Sequence, residues 1–191
     1  MSEMPSLKKL AAALAATIAL PVAAVAAVIG GTDYAPQYDY HEFFNVSDGK
    51  TFRVVLMGEP FAGVPTDAVA GRLLAQMQAA KPPPRLTFTY EMPAERPRPD
   101  YRMVLVFNAA NDFGAWPLCA GEKPRFKPGT PGKFNVFAVY CRNDLAMSQT
   151  TAWTDATGPD DPRVGQLFRE LFPVLFSDAL GLRPQSSGNL R

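Results

Sequence analysis

The chain has 191 residues, of which 19 are basic and 18 acidic, and it contains two cysteines. Near-neutral charge without a basic stripe excludes an electrostatic nucleic-acid binder, and the length suits one domain with a sizeable core. Thirteen phenylalanines and 19 prolines predict an aromatic interior with many rigid loops.

Met1 to Lys9 is short and polar and ends in Lys8-Lys9, and Leu10 to Val28 then carries no charge. Ala24-Val25-Ala26 supplies the small-x-small pattern that a signal peptidase accepts. A basic start, an apolar middle and a small-residue exit predict an export signal over residues 1–26, cut after Ala26. A retained membrane anchor is the alternative, since about twenty apolar residues just span a bilayer. The weakly apolar alanines and the helix breaker Pro21 argue for cleavage. A buried core helix is the third reading, and it leaves Lys8-Lys9 unexplained. No cysteine lies near the cut, so a lipid anchor is not expected. Removing residues 1–26 takes away Lys8, Lys9 and Glu3 and leaves 17 charges of each sign. An exported domain matures where disulfides persist.

Residues 27–50 read as a lead-in and the first strand of a hairpin. Thr32 to Tyr40, with Tyr34, Tyr38 and Tyr40, suits a mobile linker or a strap better than a partner-binding motif. Glu42–Val46 and Thr51–Met57 flank Ser47-Asp48-Gly49-Lys50. Asp-Gly between two apolar runs predicts a hairpin, because the turn needs positive φ and glycine supplies it. Gly58–Gly63 is a loop. Residues 66–79 predict a helix capped by Thr66 or Asp67, with Val69, Leu73 and Met77 on one face and Lys81-Pro82-Pro83-Pro84 as its stop.

Strands follow. In Arg85–Glu91 the residues Leu86, Phe88 and Tyr90 alternate with Arg85, Thr87, Thr89 and Glu91, giving one wet face. Met92–Asp100 is a proline-rich loop. Tyr101–Asn108 is uniformly apolar and is placed centrally in the sheet. Phe134–Cys141 is similar, Arg142-Asn143-Asp144 is a turn, and Ala146–Thr154 is a small, polar strand placed at an edge. Asp161-Pro162 opens the final helix. Val164, Leu167, Phe168, Leu171 and Leu175 form its apolar stripe, Pro173 is expected to kink it and Gly181 to end it. Residues 183–191 read as a flexible tail. The sequence thus predicts a single α+β domain over 51–182. Its sheet is antiparallel-rich, of five or six strands, with two main helices on one face.

Cys119 and Cys141 are even in number and separated by a glycine- and proline-rich loop. A disulfide between them would close about twenty residues, worth roughly 3 kcal/mol. The alternative is a reactive thiol, for which His41 is the sole histidine available as base. One histidine does not make a zinc site. Gly49-Lys50-Thr51 resembles the end of a phosphate loop, but the required glycine five residues earlier is Phe44, and a strand follows instead of a helix. Asp155 and Asp160-Asp161 could be imagined as paired carboxylates or calcium ligands. Helix capping already explains Asp-Asp-Pro, and a calcium loop needs regularly spaced oxygens. Serine-hydrolase, zinc-protease and dinucleotide fingerprints are absent from the sequence. Trp116 and Trp153 read as core. If a groove exists, loops 58–65 and 109–132 are its expected rims.

Tyr101–Asn108, Trp116-Pro117-Leu118-Cys119, Val139-Tyr140-Cys141-Arg142 and Leu145–Thr154 together resemble a group of exported proteins of Gram-negative bacteria with no assigned activity. The resemblance covers the C-terminal half. It implies a periplasmic location and a paired role for the cysteines. The expected function is a non-enzymatic domain that binds a partner protein or small ligand in the envelope, through its sheet edge or loops, without cofactor or metal. The alternative is an envelope hydrolase or thiol enzyme. Membrane contact is expected only through residues 10–28, if these are retained.

Overall fold

The computed structural model describes residues 27–92 and 99–179. The expected signal segment 1–26, the helix stop at Gly181 and the tail 183–191 lie outside the described residues. In chain order the elements are β1 (Val28–Tyr34), α1 (Tyr40–Ser47), β2 (Thr51–Met57), α2 (Thr66–Ala80), β3 (Thr87–Thr89), β4 (Tyr101–Phe107), α3 (Ala115–Cys119), β5 (Lys133–Arg142), β6 (Leu145–Asp155) and α4 (Pro162–Leu175). The strands form one sheet in the order β1-β6-β5-β4-β2-β3.

The fold is α+β, and the sheet is mixed where the sequence predicts an antiparallel-rich one. β1, β6, β5 and β4 pair antiparallel, whereas β2 pairs parallel to both β4 and β3. The parallel pairings arise because α2 carries the chain from β2 back to the same end of the sheet before β3, as parallel neighbours require.

The predicted hairpin at 42–57 is replaced by helix α1 followed by β2. Asp39 caps α1 by accepting a hydrogen bond from the His41 amide, 2.9 Å away. Tyr40, Phe43, Phe44 and Ser47 fall at helical spacing, so the segment follows a 3.6-residue period. Asp-Gly does turn the chain, with Gly49 at φ +70°, but it closes a helix rather than a hairpin.

Two edges also differ. The expected edge strand β6 is interior, because β1, read from sequence as a lead-in, pairs along it from Val28↔Trp153 to Tyr34↔Ser148. The Thr32 hydroxyl donates to Thr150 Oγ1 across that pair at 3.1 Å, joining residues 118 positions apart. The register shifts between Ile29 and Thr32. Gly30 sits in this bulge against the Thr151 hydroxyl, where any Cβ would collide. β3 is cut to three residues, although Leu86 and Phe88 are buried as predicted.

The main core lies on one face of the sheet, under α1, α2 and α4. Val69, Leu73 and Met77 of α2 and Val164, Leu167, Phe168 and Leu171 of α4 meet Met103, Leu105, Phe134 and Val136 of the sheet. Phe43 is fully buried and stacks on Phe176 with centroids 4.2 Å apart, and Phe52 and Tyr140 meet it edge-on. A smaller cluster on the opposite face holds Val104, Val106, Val139, Leu118 and the two cysteines.

Pro65, not Thr66 or Asp67, is the N-cap residue of α2, and the Thr66 hydroxyl is instead donated to the Gly58 carbonyl. α4 begins as predicted. Asp161 accepts from the Arg163 amide at 3.0 Å, with Pro162 in the first turn, and Pro173 lies inside the helix. The Arg163 guanidinium, donating to the same carboxylate, holds the Asp161 pKa down at about 2. A lowered carboxyl pKa stabilises the fold above the unfolded value near 4. That contribution is lost as pH falls from about 4 to about 2. Asp161→Ala is therefore expected to cost about 1 kcal/mol at neutral pH. It should also flatten the loss of stability across that acid window, as followed by thermal unfolding at stepped pH.

Candidate amide and aromatic groove

Helix α3 and the loop around it stand on the second face of the sheet. Three devices fix them there. Cys119 and Cys141 form a disulfide with Cα atoms 5.6 Å apart. Arg102, buried in the sheet, donates to the Cys119 carbonyl at 2.6 Å, to the Asn143 carbonyl at 3.1 Å and to Asp100 at 3.1 Å. A buried guanidinium is tolerable only when it is paired and its N–H groups are satisfied, and these contacts do both. Finally, the loop pairs with itself. The Ala110 amide donates to the Arg125 carbonyl at 2.9 Å and the Lys127 amide to the Asn108 carbonyl at 2.8 Å. Gly58, at φ +78°, lies beneath the Phe126 ring and beside the Phe107 carbonyl, a place no side chain could share.

Between this loop and the exposed half of β5 and β6 runs a groove of about 440 Å³. Its floor is set by the two-residue alternation of the strands. Gln149, Thr151 and Trp153 of β6 face it beside Asn135 and Phe137 of β5, with Asn135 opposite Trp153 and Phe137 opposite Thr151. Asn108, Asn111, Phe113 and Lys127 form the wall. Asn108 is held by its own donation to the Glu59 carbonyl at 2.8 Å, and it accepts from Asn135 Nδ2 at 3.3 Å. Lys127 Nζ donates to Asn111 Oδ1 at 3.3 Å. Gln149 Nε2 donates to Asp33 of β1 at 2.9 Å. Trp153 is 41% exposed. The Lys133 ammonium lies 5.0 Å from its ring centroid, outside the groove lining, and steadies the indole by a cation–π contact.

The candidate residues read from the sequence separate in space. Both cysteine sulfurs are committed to the disulfide, which leaves no thiol for His41 to activate. The His41 side chain is 90% exposed and stands near Asp39 at the start of α1, on a different element from either cysteine. Asp155 pairs with Lys133, Asp160 with Arg72 at 2.9 Å and Asp161 with Arg163 at 2.6 Å, so each serves a structural ion pair. Among the described residues no group of three His, Cys, Asp or Glu could hold a metal ion. Of the two expected rims, loop 109–132 lines the groove through Ala109–Asn111, Phe113, Gly114 and Lys127, while 58–65 supports it from behind through Glu59. Trp153 is a groove residue and Trp116 is exposed on α3, in place of the predicted core positions. Asn108, Asn111, Asn135 and Gln149 belong to no motif, and sequence reasoning misses them. The outward alternation of Gln149, Thr151 and Trp153 is the one signal that points to the floor.

Two other polar clusters are structural. Glu42 of α1 accepts from Arg142 at 2.9 Å and from the Tyr101 hydroxyl at 2.6 Å, which clamps α1 to the sheet. Burial, and then the bond to Glu42, push the Tyr101 pKa up to about 12. A cleft of about 290 Å³ lies by Tyr34, Tyr38 and Tyr40. The Tyr38 hydroxyl is donated to the Ser177 carbonyl at 2.8 Å and the Tyr34 hydroxyl to the Val174 carbonyl, so these phenols tie down the end of α4.

No described helix is long and apolar enough to cross a membrane. No family model matches this chain, and no curated protein matches it. Among solved structures, a PelC L103M dodecamer from Paraburkholderia phytofirmans is similar over 80% of this chain and 99% of that one, with 10% identity and a TM-score of 0.41. A likeness of that size carries no argument about what this chain does.

Proposed function

We propose that this chain is an exported domain of the bacterial envelope that binds a ligand in the amide and aromatic groove and performs no chemistry on it. The observation that carries the reading is the groove itself. It is an open trough of about 440 Å³ whose polar lining is mostly amide, with aromatic rings on its floor and wall. Amides recognise a ligand through donors and acceptors but move no proton near neutral pH, so such a lining suits binding and orientation. The wall is anchored by a disulfide and a buried arginine, which reduces the ordering cost of binding. The export reading draws on Lys8-Lys9 before an uncharged run, and on the disulfide, which fits an oxidising compartment.

Two measurements test this. Intact mass of the protein from the envelope fraction is expected to show loss of about the first 26 residues, the span of a signal peptide. Alkylation is expected only after reduction. A full-length mass with two free thiols would reverse both expectations. For the groove, a photoreactive benzoylphenylalanine is placed at Thr151 and, as a control, at Ala75 on the exposed side of α2. Irradiation of intact cells is expected to give an adduct from position 151 alone. Equal adducts from both positions, or none from either, would remove the groove as the binding face.

A further inference from the structure

We infer that the ligand of this groove is a neutral saccharide, its ring laid on Trp153 and its hydroxyl groups bonded to the amides. The inference rests on the groove being the binding site and names the chemistry that the site would select.

Once its internal hydrogen bonds are made, the lining still offers both donors and acceptors. Asn135 uses one N–H of Nδ2 on Asn108, and Gln149 one N–H of Nε2 on Asp33, so each retains a second N–H as donor and a carbonyl oxygen as acceptor. Asn111 accepts from Lys127 through Oδ1 and retains its NH₂ as donor. Thr151 brings a hydroxyl, which both donates and accepts. Donors and acceptors interleaved around aromatic rings match a ligand whose polar groups each donate and accept at once. Hydroxyl groups do this. A carboxylate or phosphate only accepts, and an ammonium only donates, so either would leave half of the lining unpaired at a cost in affinity.

Charge is sparse in the lining. Lys127 is its sole charged residue, and its ammonium uses one N–H on a neutral amide oxygen and keeps the others for a ligand hydroxyl. The lining contains no carboxylate, so nothing in it selects a cationic peptide. Apolar contact is concentrated on Trp153, Phe113 and Phe137. The Lys133 ammonium lies over the Trp153 ring, yet the residue lines the groove and is 41% exposed, so part of its surface is open to a ligand. An indole provides a flat apolar surface with a polar edge, to which the C–H face of a pyranose is complementary. Gln149 to Trp153 spans four strand intervals, about 13 Å, which accommodates roughly a disaccharide.

The test is a titration of the full mature chain with cellotetraose, maltotetraose and the tetramer of N-acetylglucosamine, read by intrinsic fluorescence. Trp116→Phe removes the other tryptophan, so that the signal reports on Trp153. At least one tetrasaccharide is expected to shift the emission saturably. Calorimetry is expected to show Trp153→Ala weakening that affinity tenfold or more. Asn135→Leu, which keeps the size and removes the acceptor, is expected to weaken it about fivefold. Arg72→Ala, on the opposite face of the sheet, is expected to leave it unchanged. Thermal unfolding of each variant establishes that the fold is retained. Absence of saturable binding by all three sugars at 10 mM, or affinity unchanged in both groove variants, would overturn the saccharide assignment. An adduct from position 151 in that same case would leave the binding reading standing with a ligand of different chemistry. Loss of the adduct together with sugar binding would end both.

Discussion

Replacing Phe43 with alanine is expected to lower the unfolding free energy by about 3–5 kcal/mol, the range for deleting a fully buried aromatic side chain. The ring is inaccessible to solvent and lies parallel to Phe176 while Phe52 and Tyr140 meet it edge-on, so its removal leaves a cavity with aromatic walls. Those walls belong to β2, β5 and the residue that ends α4, and they cannot all close inward together. Denaturant titration should show a lower midpoint with an unchanged slope. Phe44→Ala is the internal control. Its ring is 39% exposed, and its loss is expected to cost less than about 1 kcal/mol. A cost below about 1 kcal/mol for Phe43→Ala itself would mean that α1 is not integral to the core.

Cys119→Ala with Cys141→Ala is expected to cost about 3 kcal/mol. The disulfide bridges 22 positions of sequence, and the entropy it removes from the unfolded chain scales with that loop. For a domain of this size the melting temperature should fall by on the order of 10 °C. The loss should not be spread evenly. Arg102 still holds the Cys119 carbonyl, but α3 has only five residues and cannot sustain itself without tertiary support. Amide exchange is therefore expected to rise first across residues 109–127, before the strands. A uniform rise, or a melting temperature insensitive to reductant, would contradict this role for the bond.

How far the sequence can be read depends on whether the signal is local. α4 is legible because Asp161-Pro162 and its apolar stripe are contiguous, and β4 because a run of apolar residues needs a place inside a sheet. The disulfide follows from counting. α1 escapes because Asp-Gly satisfies two structures with the same φ, a hairpin turn and a helix end, and the turn signal masks the helical spacing of Tyr40, Phe43 and Phe44. β1 escapes for a different reason. Val28–Tyr34 contains two adjacent glycines and little alternation, so nothing in the segment itself specifies a strand. Its specification lies in β6. The groove is only half visible, since loop 109–132 reads as a rim, whereas its floor depends on Asn135 and Trp153 meeting across two strands.

The pairing of β1 with β6 also orders the assembly of the domain in time. Synthesis delivers the N-terminal end first. Val28–Tyr34 is thus the earliest described strand to emerge, yet its neighbour in the sheet lies near the far end of the chain. Contacts so distant in sequence form slowly, because the intervening loop must close before any bond rewards it. Until β6 emerges, the first strand lacks the edge on which it settles in the finished sheet. Asp33, which fixes Gln149 at the groove floor, arrives only when that strand docks. The first strand therefore stays unpaired until the chain is nearly complete, and the groove is finished by residues that were made first.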